Sequence, residues 1–133
     1  LNIGGYKYDK KTKTFPIFIN YDKQDNISDT TKYEDHFVAE NRLIAISKSG
    51  RSMDSEDVQN FLKATERGID VQLFVRKNKD DKISKEFYYL GRVIATGNAK
   101  QFVMPNTDKT AVEIEWELET PVRVDIYQYI VNE

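Results

Sequence analysis

Two short clusters in the first half of the chain carry residue types that could bind a nucleotide. In the first, Tyr33 stands two positions before Asp35. An aromatic ring offers a flat face for stacking, and a carboxylate can accept hydrogen bonds. The second, Ser47–Arg51, joins hydroxyls and a glycine to Lys48 and Arg51, which suit a phosphate backbone. From the residues alone, an ordinary strand-to-helix turn and a helix cap at Asp35 stay open as alternatives.

The sequence lacks the residues that several common metal sites, catalytic sites and phosphate-binding loops require. His36 is the one histidine and there is no cysteine, which excludes zinc sites built on cysteines or on a pair of histidines. Gly4-Gly5 precedes Tyr6-Lys7-Tyr8 without the Gly-Lys-Ser/Thr ending of a phosphate loop. We therefore expect no catalysis, no metal and no cofactor in this chain, although a carboxylate with a strongly raised pKa would reopen the case for a hydrolase.

Composition indicates a globular protein. The 133 residues are 39% hydrophobic and 32% charged, with a net charge of −2. This length suits a single domain over 1–133, and no apolar run approaches the ~20 residues that span a bilayer. The absence of cysteine fits a cytoplasmic location. The chain starts at Leu1 without a methionine, so we interpret it as part of a larger protein.

Apolar alternation and turn residues predict six short strands. The segment Ala111–Leu118 alternates strictly, which places Trp116 in the core rather than in a binding site. The polar segment Asp22–Thr31 is predicted to be a loop, and Lys77–Lys85 the loop of a charged hairpin. The predicted strands are Tyr6–Tyr8, Phe15–Asn20, Arg42–Ser47, Asp70–Arg76, Glu86–Ala95 and Ala111–Leu118.

Two helices complete the prediction. The first covers Asp54–Arg67, with a cap at Asp54 or Ser55 and a left-handed end at Gly68. The second begins at Thr120-Pro121. Their predicted buried faces are Val58, Phe61, Leu62 and Thr65 in the first, and Val122, Ile126, Tyr129 and Ile130 in the second. Five to seven strands with two or three helices predict an α+β fold built on a curved or closed barrel.

Four short motifs carry a resemblance to a known family. They are Tyr33-Glu34-Asp35, Ser47-Lys48-Ser49-x-Arg51, Leu73-Phe74-Val75-Arg76-Lys77 and Phe87-Tyr88-Tyr89-Leu90-Gly91. In this order and spacing, from Tyr6 to Tyr129, the chain resembles the C-terminal domain of bacterial proteins that join a phospholipase-D-type nuclease to a superfamily 2 helicase. The SauUSI type of modification-dependent (type IV) restriction enzyme is the functional model.

The resemblance implies an SRA/PUA-like barrel that flips a modified cytosine, 5-methylcytosine or 5-hydroxymethylcytosine, out of double-stranded DNA. The helicase and nuclease domains of the same chain would be its partners and would hold the ATP and Mg²⁺. SRA domains carry a Tyr-Glu-Asp-Asp run at the pocket, from which this chain departs at His36. The implied base pocket is Tyr21, Tyr33, Asp35 and Tyr88. The candidate contacts to the DNA backbone are Ser47, Lys48, Ser49 and Arg51, with Lys77 and Lys79 from a charged hairpin that could instead be an ordinary solvated loop.

Two other functions remain open on the sequence. A PUA-like barrel could bind RNA or unmodified DNA. A protein-interaction or autoinhibitory domain of a helicase would instead depend on the acidic segment Glu113–Glu119.

Overall fold

The computed structural model describes residues 5–21, 34–77 and 86–132, and these form seven strands and three helices. The strands are β1 (Gly5–Tyr6), β2 (Thr14–Tyr21), β3 (His36–Ala39), β4 (Arg42–Ile46), β5 (Asp70–Lys77), β6 (Tyr88–Val103) and β7 (Thr110–Leu118). The helices are α1 (Glu56–Leu62), α2 (Ala64–Arg67) and α3 (Val124–Val131). Tyr33, Lys79, the predicted loop at 22–31 and residues 78–85 of the loop predicted at 77–85 lie outside the described residues, whereas Lys77 is the last residue of β5.

All seven strands belong to one sheet in the order β1-β2-β5-β6-β7-β4-β3. The β2–β5 pair is parallel and the other neighbours are antiparallel. The long strand β6 pairs first with β5 and then with β7. Its register shifts between Ala95 and Ala99, around Gly97 with φ of 101°. A bulge of this kind bends a strand, and the sheet curves into an unclosed barrel whose edges are β1 and β3.

The inner face of the sheet forms the core. Strand β2 turns Phe15, Ile17 and Ile19 inward, as its alternation requires. In β7 the predicted alternation is confirmed, and Trp116 is 1% exposed. On the outer face, Glu115 pairs with Arg42 of the neighbouring strand β4 at 3.3 Å.

The first predicted helix is divided in two. Lys63, with φ of −109° and ψ of 21°, separates α1 from α2. The break changes the helical phase, so Ala64 is buried where Thr65 was expected. Ser55 occupies the N-cap position, but its hydroxyl accepts a hydrogen bond from the Ser52 N–H instead of capping the helix. The left-handed end at Gly68 is confirmed, with φ of 70°.

The last helix begins later than predicted. The N–H of Val122 donates to the carbonyl oxygen of Glu40 at 2.9 Å, which ties this segment to the turn between β3 and β4. Helical geometry starts only after Arg123, so the predicted start at Thr120-Pro121 was wrong. Ile130 is buried as expected, whereas Tyr129 is 39% exposed.

Strand β3 was not predicted. Its four residues, His36–Ala39, are too few for a recognisable alternation, and their pairing with β4 decides their conformation. Because a strand follows Asp35, the alternative of a helix cap at this residue was wrong.

Candidate functional site

A cavity of about 220 Å³ opens between the two margins of the curved sheet. Strands β1 and β2 form one wall, and the end of β4 forms the other. Its apolar lining includes Ile17, Ile19, Phe61, Ile114 and Trp116. Its polar lining residues include Tyr6, Asp35, Ser47 and Lys48. The cavity is thus a mainly apolar slot with a few polar groups, an arrangement typical of small-ligand sites.

Tyrosine hydroxyls bridge the margins on either side of this slot. The Tyr6 hydroxyl accepts a hydrogen bond from the Lys48 N–H at 3.0 Å. The Tyr21 hydroxyl accepts one from the N–H of Phe37, in β3, at 3.2 Å. Side chains therefore join strands that share no backbone ladder, and the cavity lies in the gap that this leaves.

Asp35 is the acidic group of the cavity. One of its carboxyl oxygens, Oδ1, accepts a hydrogen bond from the Ile46 N–H at 2.7 Å and so extends the β3–β4 pairing by one step. Burial raises the pKa of Asp35 to about 6, against the lowering effect of the Ile46 hydrogen bond and of His36. Within the described ranges no hydrogen bond reaches Oδ2, which can accept one from a ligand amine.

A hydrogen-bonded network surrounds Tyr6 at the mouth of the cavity. The Tyr6 hydroxyl donates to Asp57 Oδ2 at 2.6 Å, and Arg51 Nε donates to the same oxygen at 2.8 Å. Burial raises the pKa of Tyr6, and the hydrogen bond to Asp57 adds to this. Burial also opposes ionisation of Asp57, but the hydrogen bonds from Tyr6 and Arg51 outweigh it and lower the pKa of this carboxyl. The network holds Arg51 beside the cavity with 38% of its side chain exposed.

Sequence reasoning missed Tyr6. It lies in a two-residue edge strand, far along the chain from the Tyr33 cluster, and no local spacing marks it. Only the curvature of the sheet brings it to Lys48.

The structure brings Asp35, Ser47 and Lys48 together but gives Ser47 an internal role. The Ser47 hydroxyl accepts from the Val112 N–H at 2.9 Å and donates to the Lys48 carbonyl at 3.0 Å. The residue is 8% exposed. Lys48 and Ser49 are exposed, and the adjacent Gly50 N–H is fixed to β7 through the Thr110 carbonyl at 2.8 Å. A hydroxyl that is buried and used twice is poorly placed for a phosphate.

Lys77 also has an internal role. It is 8% exposed, and its ammonium donates to the carbonyl oxygens of Tyr129, at 2.7 Å, and Asn132. These carbonyls belong to the end of α3, where a cation is favoured. A contact from Lys77 to DNA would therefore require this cap to break.

Two of the predicted pocket tyrosines do not line the cavity. Tyr21 is 9% exposed and packs against Phe37 at a centroid distance of 5.6 Å. Tyr88 lies at the start of β6, where its ring meets Tyr129 edge to face at 6.0 Å. Their contact with a base stays a prediction, as does that of Tyr33.

The described residues contain no cluster of three acidic or histidine side chains arranged to hold a metal ion. In the same part of the chain, every helix is too short or too polar to cross a bilayer.

The curved, unclosed seven-stranded sheet with its helices has an SRA-like fold. SUVH6 of Arabidopsis thaliana, solved with SAM, superposes with a TM-score of 0.55 and 11% identity, over 97% of this chain and 25% of that one. The SUVH5 SRA domain in complex with hemi-methylated CG DNA superposes with a TM-score of 0.54 and 11% identity, over 93% of this chain and 79% of that one. The complex of the SUVH5 SRA domain with methylated CHH DNA superposes with a TM-score of 0.55 and 10% identity, over 90% of this chain and 78% of that one.

At these identities the likeness concerns the fold, and it confirms the SRA-like architecture that the sequence motifs implied. The present chain spans only a quarter of the SUVH6 chain. It belongs to the family described as Domain of unknown function (DUF3427), which matches residues 1–130. No curated protein matches the sequence.

Proposed function

We propose that this chain is a binding module for modified cytosine, 5-methylcytosine or 5-hydroxymethylcytosine, in double-stranded DNA. The observation that carries the proposal is the position of Asp35 in an apolar slot at the open margin of an SRA-like sheet. In this position the carboxylate would accept a hydrogen bond from the N4 amine of a flipped cytosine. The SUVH5 structures, whose SRA domain was solved with methylated DNA, support the choice of ligand class.

Energetics make the apolar lining as important as the carboxylate. Extruding a base costs a few kcal/mol, and stacking on an aromatic side chain returns about 1–3 kcal/mol. Burying one methyl carbon contributes only about 0.8 kcal/mol, or roughly fourfold in affinity. A larger preference for 5-methylcytosine therefore requires a close, dry fit, which side chains such as Ile17 and Ile114 can supply.

DNA-backbone contacts would come from the same margin. Lys48 lines the cavity, Arg51 is joined through Asp57 to the lining residue Tyr6, and Ser49 is exposed between the two cations in the sequence. Cations placed beside a base pocket can hold the phosphates that flank an extruded nucleotide. Replacing either cation by alanine should weaken binding to all DNA and flatten its salt dependence.

The larger assignment follows from the sequence motifs. We propose that the module directs an ATP-dependent restriction nuclease of the SauUSI type, in the cytoplasm. Cleavage and ATP hydrolysis, with their Mg²⁺, would belong to the helicase and nuclease domains of the parent protein, and this module itself would not be an enzyme.

The test is equilibrium binding to matched duplexes that differ in a single 5-methylcytosine, at fixed salt. We expect tighter binding to the modified duplex, and D35A should remove the difference. Equal affinity for both duplexes would refute the proposal that this module recognises a modified base. Comparable binding to single-stranded RNA would support a PUA-like RNA module instead, and no binding at moderate salt would favour a protein-interaction domain.

A further inference from the structure

Tyr6 and Lys48 form a pair that the proposed function does not yet use. Lys48 Nζ lies 4.7 Å from the centroid of the Tyr6 ring, a cation–π contact, and both residues line the cavity. The Lys48 side chain therefore covers part of the Tyr6 ring, beside the cavity that both residues line.

The Tyr6 ring is held in a fixed position. Its hydroxyl donates to Asp57 and accepts from the Lys48 N–H. Edge-to-face contacts with Phe61, at 4.8 Å, and Phe15, at 5.5 Å, fix the rest of the ring. A ring immobilised in this way loses little further freedom when a ligand stacks on it, which favours binding.

The Lys48 ammonium, in contrast, is weakly held. The residue is exposed, and among the described residues no carboxylate lies within ion-pair distance of Nζ. An exposed cation–π contact is weak, whereas a phosphate offers the ammonium a full opposite charge. Arg51 lies beside the same ring through Asp57, but the Asp57 carboxylate offsets its charge, which leaves Lys48 as the more available cation.

Building on the proposed function, we propose that Tyr6 is the aromatic wall against which the extruded base stacks, and that Lys48 covers this wall in free protein. When a nucleotide enters, its phosphate pairs with the Lys48 ammonium, and the base stacks on the face of the Tyr6 ring that the ammonium has left. Capture of the phosphate and reading of the base are thereby coupled at one residue pair.

The first test replaces the ring. Y6L should weaken binding to the duplex with 5-methylcytosine by about tenfold, since one stacking partner of the extruded base is lost, and should change binding to the unmodified duplex, whose bases stay paired, much less. Y8L is the matched control, because Tyr8 packs against Phe15 at 5.3 Å but does not line the cavity. It should keep the wild-type preference. If wild type shows no preference, the proposed function fails; if wild type and Y6L show the same preference, only the role of Tyr6 fails.

A second measurement does not depend on the folding of a Tyr6 variant. Wild-type protein is irradiated with a duplex that carries 5-iodocytosine at the modified position, and the crosslinked peptide is identified by mass spectrometry. A crosslink at Tyr6 is expected, since photocrosslinking requires contact with the base. Crosslinks confined to other residues would overturn the assignment of Tyr6 as the wall.

The covering role is tested with K48M, which keeps the apolar stem and removes the charge. Affinity for all duplexes should fall, and the salt slope should decrease by about one phosphate contact. The ratio of modified to unmodified affinity should be kept or should rise, because the ring is less covered. K63M, at the exposed break between α1 and α2, is the control. Two outcomes would refute the proposed move of the Lys48 ammonium from the Tyr6 ring to a phosphate. One is a salt slope in K48M equal to that of wild type, and the other is a loss of the preference for the modified duplex.

Discussion

Replacing Asp35 by asparagine should stabilise the free protein and abolish its preference for a duplex that contains 5-methylcytosine. Burial raises the pKa of Asp35 from an ordinary value of 3.8 to about 6. Below about pH 4 the carboxyl is protonated in both the folded and the unfolded state and contributes no pH dependence. Between about pH 4 and 6 the folded state binds more protons, so stability falls as pH rises, and the full penalty is present above pH 6.

The size of this penalty follows from the two pKa values. Their difference corresponds to about 3 kcal/mol at neutral pH, at about 1.36 kcal/mol for each pH unit. The D35N side chain has no charge to bury and can still accept the Ile46 N–H through its amide oxygen. We therefore expect the unfolding free energy of D35N to exceed that of wild type by about 1–3 kcal/mol at pH 7.5, and the difference to vanish near pH 4.

Binding should change in the opposite direction. With the amide oxygen held by Ile46, the NH₂ group of D35N would face the cavity and meet the N4 amine of cytosine donor to donor. Urea denaturation of both proteins from pH 4.5 to 7.5 gives the stability difference, and duplex titrations give the preference for 5-methylcytosine. The exposed D54N is the control for a general charge effect. A stability difference that does not vary with pH would refute a buried, ionising Asp35.

Three further substitutions test the packing around the site. K77M removes the cap on α3 and should lower the unfolding free energy by about 1–3 kcal/mol in urea denaturation, with DNA affinity unchanged. Weaker DNA binding at unchanged stability would instead indicate that Lys77 contacts the DNA backbone. Y21F removes the acceptor of the Phe37 N–H and should cost about 1–2 kcal/mol, and an unaltered urea midpoint would show that this bridge does not hold the margins together. G68A places a Cβ at φ of 70° and should cost about 1 kcal/mol, whereas a variant as stable as wild type would contradict the left-handed end of α2.

Local pattern was sufficient for most of the architecture. Strict alternation in Ala111–Leu118 located β7 and the buried Trp116, and the glycine after Arg67 located the end of α2. The failures have tertiary causes. Pairing with β4 makes a strand of His36–Ala39, and a backbone hydrogen bond from Val122 delays α3.

The candidate site was only partly predictable. Asp35 and Lys48 lie at the cavity because they flank β3 and β4 in the sequence. Tyr6 comes from the opposite margin of the sheet, and only curvature brings it there. Lys77 looked like a DNA contact because positive charge near a loop is common, but the burial that makes it a helix cap cannot be read from its neighbours in sequence.

Trp116 offers the most direct measurement of where the ligand binds. It is the one tryptophan of the chain, it lines the cavity, and its ring lies 5.3 Å from that of Phe61. If a modified cytosine is seated in the cavity, titration with a 5-methylcytosine duplex should change Trp116 emission with the midpoint of the binding curve. The unmodified duplex should change it much less at equal saturation. Saturable, modification-dependent binding with no change in Trp116 emission would contradict this location of the base.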